Sequence, residues 1–415
     1  MVSLQMPLPL HLIQFVAFLD LFAIGLIIPL MPGQIRELGA SHIQVGLLGS
    51  LYAGFQLVSG PLIGSLSDIK GRKDILIRTL ILSSVCYVII GVTTSVLIIL
   101  SMRALLGLFK QTQNLTKALV PDYAKSKAAQ SVIYGKMAAI SGAGITIGPF
   151  IGGHIAEDYP EYGFTFIAFF VGLLFVLNAG IMYMMPEAVK SKKVKSNREK
   201  RQKEPENIVK YIGSSLKQSM VELRNVNWSS YWDIFVLKCL IGFAMGIYFS
   251  NYALHLKAAY GLTPKYIGYV ISFQGIIGSL SSFFIGYINS YYKSDKDYSL
   301  RNFHVFLLIT LSIYGIILSN NVYLYALWLI PLAIGNSVGR LVSLEMVLHR
   351  SKYEHRGTLI GASSSIRSLT GVVAPLVSGV IGHYVGITYV IYASLFASLL
   401  GTILSYHYKR KIKVD

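Results

Sequence analysis

The sequence predicts an all-α membrane protein of about twelve transmembrane helices in two pseudo-symmetric six-helix bundles. Three observations predict it. First, only 13% of the 415 residues are charged and 53% are hydrophobic, whereas soluble domains carry roughly 25% charged residues. Second, the apolar residues gather in runs of about 20, the length that crosses roughly 30 Å of hydrocarbon as a helix whose backbone groups are all satisfied internally. Third, one long polar stretch, Pro186 to Ser229, divides these runs six and six.

In chain order the runs centre near residues 20, 54, 84, 108, 142 and 174, then near 243, 276, 310, 335, 370 and 395. Orientation follows from the loops between them. Lys70, Arg72, Lys73 and Arg78 fall on one side, as do Lys125 and Lys127; Lys293, Lys296 and Arg301; Arg350, Lys352 and Arg356; and Lys409, Arg410, Lys411 and Lys413. The other side is nearly bare, and its loop around Glu157, Asp158 and Glu161 is acidic. Basic residues concentrate in cytosolic loops, so both termini are expected in the cytosol. The same distribution accounts for the net charge of +18 and removes nucleic acid as a partner. The expected domains are a bundle over 1–185, a basic cytosolic linker over 186–229, a second bundle over 230–408 and a cytosolic tail over 409–415. The linker carries Lys192, Lys193, Lys195, Arg198, Lys200 and Arg201. It is a solvated connection whose bases suit anionic lipid headgroups, and 208–223 suits an amphipathic helix along the membrane.

The N-terminus has no basic region and no small-residue cleavage site, so the first helix is expected to direct insertion. Cys86 and Cys239 lie inside apolar runs and read as buried free thiols. There is no phosphate-binding loop, which argues against an ATP-driven pump. The nine histidines show no metal-ligand spacing, and no Ser/His/Asp set is recognisable. Neither an enzyme nor a cofactor or metal is expected; a monomer with a small-molecule substrate is.

An internal repeat supports the six-plus-six division. Gly46 matches Gly268 and Gly64 matches Gly286, each pair 222 positions apart. Gly107 and Gly335 occupy similar places in spans four and ten, and Pro149 and Pro375 in spans five and eleven. Parallel six-helix repeats around a central pathway are a transporter architecture.

Several motifs carry chemistry. Gly64-x3-Asp68-x2-Gly71-Arg72-Lys73 is a charged loop wedged between two apolar runs. Span five carries Gly144-x3-Gly148-Pro149-x2-Gly152-Gly153. Small residues at i, i+4 and i+8 make one smooth face that admits a neighbouring backbone, and the proline permits a bend. Span one places Asp20 near mid-membrane, where a carboxylate is costly and marks function by default. In span four Arg103, Gly107, Lys110, Asn114 and Lys117 fall on one face of a continuous helix and are expected to line a cavity. The second half adds Lys238, Tyr248 and Asn251 in span seven and Gln274 in span eight. Asn336, Arg340 and Ser343 share one face of span ten, with Glu345 on its far side, and Arg367 lies among the serines of span eleven. Within the membrane the bases outnumber the acids, Asp20 and Glu345, which points to an organic-anion substrate. Lys110 and Arg367 stand out as mid-membrane bases in need of a partner.

The loop, the span-four Arg103-x3-Gly107 and the span-five glycine face together resemble the major facilitator superfamily. The span-five pattern and Leu19-Asp20-x4-Gly25 resemble its proton-driven drug-antiporter branch, the tetracycline-resistance exporters. The polar run from Lys110 to Lys117 departs from those exporters and is more similar to a eukaryotic subgroup, the major facilitator superfamily domain-containing protein 9 group. The resemblance implies secondary transport by alternating access, with Arg103 in proton coupling and the span-five face as a hinge or seal between halves. It also implies that Gly64, Asp68, Gly71, Arg72, Lys73 and Asp122 form a conformational latch in which Arg72 pairs with Asp122. Asp68 shifted by the repeat falls on Ser290, so the second half is expected to lack this acid. Two competing readings remain: a proton-independent carrier, and a receptor or scaffold that keeps the fold without transporting.

Overall fold

The computed structural model describes residues 8–124, 126–186, 231–293, 295, 297–350 and 356–412. The described residues form helices without a strand. In the first half these are α1 (Leu8–Ile27), α2 (Met31–Glu37), α3 (His42–Lys70), α4 (Arg72–Val92), α5 (Val96–Phe109), α6 (Thr112–Tyr123), α7 (Lys127–Asp158) and α8 (Gly163–Met184). The second half contributes α9 (Trp232–Ser250), α10 (Tyr252–Tyr260), α11 (Pro264–Phe283), α12 (Ile285–Ser290), α13 (Ser299–Ile317), α14 (Val322–Arg350), α15 (Arg356–Tyr384) and α16 (Val390–Ile412). Ten helices, counted among the described residues, are long and apolar enough to cross a membrane. The other two expected spans are α11 and the α5–α6 pair. Most of the linker, including the helix expected over 208–223, lies outside the described residues.

Span four differs from expectation. It is not one helix: α5 ends at Phe109, Lys110 takes φ −76°, ψ 81°, and α6 begins at Thr112. Helix-breaking geometry at membrane depth requires that the freed backbone groups find partners. Side chains of α3 supply them. Gln56 Nε2 donates to the Lys110 carbonyl at 3.4 Å, and Ser59 Oγ donates to the Gly107 carbonyl at 3.1 Å. Gln111 Nε2 in turn donates to Ser59 Oγ at 3.0 Å.

By contacts the chain forms two units: Met1–Leu30 with Phe55–Ser219, and Met31–Gly54 with Met220–Asp415. Residues 31–54, expected in the first bundle, thus pack within the second unit. The reason is close backbone packing inside that unit. A Cβ on Gly46 would lie 2.3 Å from the Pro375 carbonyl oxygen, and one on Gly379 would lie 2.7 Å from the His42 carbonyl oxygen. Ser50 Oγ also donates to the Val372 carbonyl at 2.6 Å.

Within the first unit, α7 lies along α1. A Cβ on Gly144, Gly148 or Gly152 would come within 2.7, 2.5 and 2.3 Å of the α1 backbone at Phe18, Gly25 and Leu26. Lipid tails provide no hydrophobic drive between helices, so this small-residue packing is what holds them together. The span-five face thus meets α1 of its own unit. Tyr87 of α4 and Phe175 of α8, both fully buried, stack at 5.3 Å between centroids. The second unit has a core of α9, α13 and α14 residues including Ile309, Ile313, Leu329 and Leu332. Cys86 and Cys239 are free thiols.

Candidate functional site

The α1–α7 packing fixes the height of Asp20 on α1. Its carboxylate is fully buried and meets Lys110, itself 5% exposed: Nζ lies 2.8 Å from Asp20 Oδ1. Gln113 Nε2 donates to the other oxygen, Oδ2, at 2.9 Å and to the Ala17 carbonyl at 3.2 Å. Lys110 Nζ also lies 5.6 Å from the centre of the Phe175 ring. Lys110 is thus not the lone base that the sequence suggested; the break between α5 and α6 turns it to Asp20. The expected stripe is divided accordingly. Arg103 and Lys110 are buried, whereas Asn114 and Lys117 are exposed on α6. Asn114 Nδ2 donates to Gln111 Oε1 at 2.7 Å. Gln113 and Phe175 were missed by sequence reasoning. Gln113 lies off the assumed helical face, and no signal marks Phe175.

At the end of α3, Gly71 takes φ 105°, a conformation open to glycine, and so permits the turn into α4. Arg72 Nη2 is 2.9 Å from Asp68 Oδ1, and Nη1 is 3.7 Å from Asp122 Oδ1 while also donating to the Ala118 carbonyl. Lys73 Nζ donates to the Met185 carbonyl at 2.6 Å, and Gly64 accepts from Ser67 Oγ at 2.7 Å.

The second unit also holds a charged cluster, close to the end of α12. Ser290 indeed has no acid, but Arg301 organises a cluster beside it. Its Nε lies 3.2 Å from Asp295 Oδ2, Nη1 donates to Asn289 Oδ1 at 3.0 Å, and Nη1 lies 3.8 Å from Glu345 Oε2. Asp295 also accepts the Leu300 and Arg301 amides, capping α13. The guanidinium stacks 4.0 Å from the Tyr298 ring centre. Burial and the Asp295 carboxylate push the Tyr292 phenol up, against a smaller pull from Arg301. A fixed repeat offset missed the cluster because its acid sits in the loop after α12 rather than at the repeat position.

Deeper in the second unit, α9, α14 and α15 bring three bases together. Lys238 Nζ donates to Ser363 Oγ. Arg367 is close enough for its charge to act on both Lys238 and Arg340. Arg340 and Arg367 are exposed, and among the described residues no ion pair involves any of the three. Gln274 of α11 is buried with Nε2 unpartnered among the described residues, and Asn336 of α14 is half-buried. Ser343 bonds back to the Gly339 carbonyl of its own helix. Tyr248 bonds Tyr325, and Asn251 bonds Ser378.

Known proteins similar to this chain identify its family. The family model described as Major Facilitator Superfamily matches residues 11–294 and 234–413. The quinolone resistance protein NorA of Staphylococcus aureus (strain COL) is 25% identical over 400 residues, 95% of each chain. The class H tetracycline resistance protein of Pasteurella multocida is 24% identical over 414 residues, 96% of each chain. The crystal structure of the human organic anion transporter MFSD10 (TETRAN) matches with a TM-score of 0.65 at 19% identity, covering 96% of this chain and 100% of that one. With a family match that runs nearly its whole length, the chain belongs to the major facilitator superfamily, as a multi-pass membrane carrier and not an enzyme.

Proposed function

We propose that the chain is a proton-coupled secondary transporter of a small organic anion, working by alternating access. The observation that carries the substrate class is the group Lys238, Arg340 and Arg367, in which Arg367 acts on the other two and, among the described residues, no ion pair joins any of them to an acid. Such a group favours an anion. MFSD10, of the same fold, is described as an organic anion transporter. Asp20 is the proton site in this reading. A proton on Asp20 removes the negative partner of Lys110, and a buried charge without its partner is strongly unfavourable. A proton at Asp20 and an anion at Lys110 therefore favour each other's binding, by reciprocal linkage. Arg103 sits on the helix that ends at this pair, and the Arg72 and Arg301 clusters act as conformational latches whose populations shift with differential binding.

The test uses protein reconstituted in vesicles with an imposed pH gradient, an anionic carboxylate dye and a lipophilic cationic dye. Uptake of the anion that rises with the proton gradient is expected. Asp20→Asn should abolish the gradient dependence, and Arg367→Gln should raise KM for the anion severalfold. Transport of the cation alone would overturn the anion reading. Anion flux indifferent to pH would make the protein a facilitative carrier, and no flux of either dye would favour a scaffold.

A further inference from the structure

The second unit holds a cavity that the transport reading does not use. It lies at the end of the unit away from the Arg301 cluster, where the C-terminal end of α13, helix α10 and the start of α16 meet. Its volume is about 290 Å³, and its walls include Ile316, Ile317, Ile391, Tyr260 and Tyr392. His255 and Ile391 also border a narrower cleft that reaches Asn251.

Three side-chain atoms here lack a hydrogen-bond partner among the described residues: His255 Nδ1, Tyr252 Oη and Asn251 Oδ1, the last on a side chain only 3% exposed. Buried polar atoms are nearly always hydrogen-bonded, and each exception calls for an explanation. Asn251 Oδ1 can only accept. An imidazole nitrogen accepts or donates according to tautomer. A hydroxyl, which donates and accepts, can pair with His255 in either tautomer. Among the described residues no acidic or basic side chain lines the cavity apart from His255, so an ion would enter without a counter-charge, at high cost. The rings of Tyr260 and Tyr325 pack edge to face at 5.4 Å, and the His255 ring lies 6.3 Å from that of Tyr325. The isoleucines and the Tyr260 and Tyr392 rings form the apolar part of a lining that also carries Ser319, Asn320 and Thr388. Ligand pockets span about 300–1,000 Å³, and this cavity lies at the lower bound, which suits a single ring with a short chain.

We infer that this cavity is a binding site for a small, uncharged, ring-bearing alcohol or phenol, its hydroxyl on His255 and its body against Ile316, Ile317, Ile391 and the tyrosine rings. The site belongs to one unit of the fold and is independent of the proposed transport residues. Amphiphiles of this kind share the chemistry of the tyrosines around them, with one apolar body and one polar end.

The full chain, purified in detergent, is photolabelled with a diazirine derivative of 4-butylphenol, and the labelled peptides are identified by mass spectrometry. Unlabelled 4-butylphenol and 4-butylanisole, which has the same body without the donor, serve as competitors. Labelling is expected in 255–260, 316–320 and 388–392, with the phenol competing at least tenfold more effectively than the anisole. His255→Leu should erase that preference, and Ala259→Trp, which fills the cavity, should abolish the labelling. Where a melting curve shows Ala259→Trp to be misfolded, His255→Leu decides. Labelling elsewhere, equal competition by the two compounds, an unchanged preference in His255→Leu, or persistent labelling in folded Ala259→Trp overturns the inference.

Discussion

Replacing Lys110 by methionine tests the central pair most directly. Asp20 is fully buried and its nearest cation, Lys110 Nζ, is 2.8 Å away. Methionine keeps the volume of the stem but removes the charge, leaving Asp20 with one hydrogen bond from Gln113. Removing one partner of a buried pair costs about 3–5 kcal/mol, whereas replacing both charges with neutral groups of similar volume is often close to neutral. Taking 3 kcal/mol and about 2–4 °C per kcal/mol for a domain of this size, Lys110→Met should melt roughly 6–12 °C below the wild type. Asp20→Asn combined with Lys110→Met should recover most of that loss. The assay is melting of the purified protein in one detergent at one pH, run as a double-mutant cycle with Asp20→Asn, Lys110→Met and the double variant. Additive single effects, or a Lys110→Met variant melting within about 2 °C of wild type, would show that the two charges are not energetically paired.

Three further outcomes are expected. Arg301→Ala should cost about 3–5 kcal/mol, because Asp295 has a side chain only 4% exposed and loses its cation, whereas Arg72→Ala should cost about 0–1 kcal/mol, because Asp68 is 51% exposed; the same melting assay compares them, and equal losses contradict the burial argument. Gly148→Ala puts a Cβ 2.5 Å from the Gly25 backbone, so α1 must move away; overpacking of about 1–3 kcal/mol is expected, read as a lower melting temperature with reduced transport. Gly71→Ala forces a non-glycine residue to φ 105° and should lose about 1–3 kcal/mol, while Gly64→Ala, with open space around it, should be tolerated in the same measurement.

The helices were legible because hydropathy is a local property that the chain reports residue by residue. The glycine face from Gly144 to Gly152 was legible as a face, since its spacing alone makes it smooth, but its partner was not. Span four shows where this kind of reading ends. A periodic pattern assumes one continuous helix, and the polar residues from Lys110 to Gln113 sit where α3 side chains make a break affordable. Arg301 shows another end: its cluster draws on the loop after α12 and on α14, so the repeat offset that found Gly286 passed over it.

The sequence by itself determined the membrane class, the six-plus-six pattern of apolar runs and the residue types available for chemistry, because each follows from composition and spacing along the chain. Only the tertiary structure decided that Asp20 and Lys110 pair at 2.8 Å while, among the described residues, Lys238, Arg340 and Arg367 form no ion pair. That outcome depends on how α1 lies on α7 and where α5 stops. Whether two charges 90 positions apart meet at 2.8 Å is set by packing of backbones against glycine, which no count of charges along the chain contains.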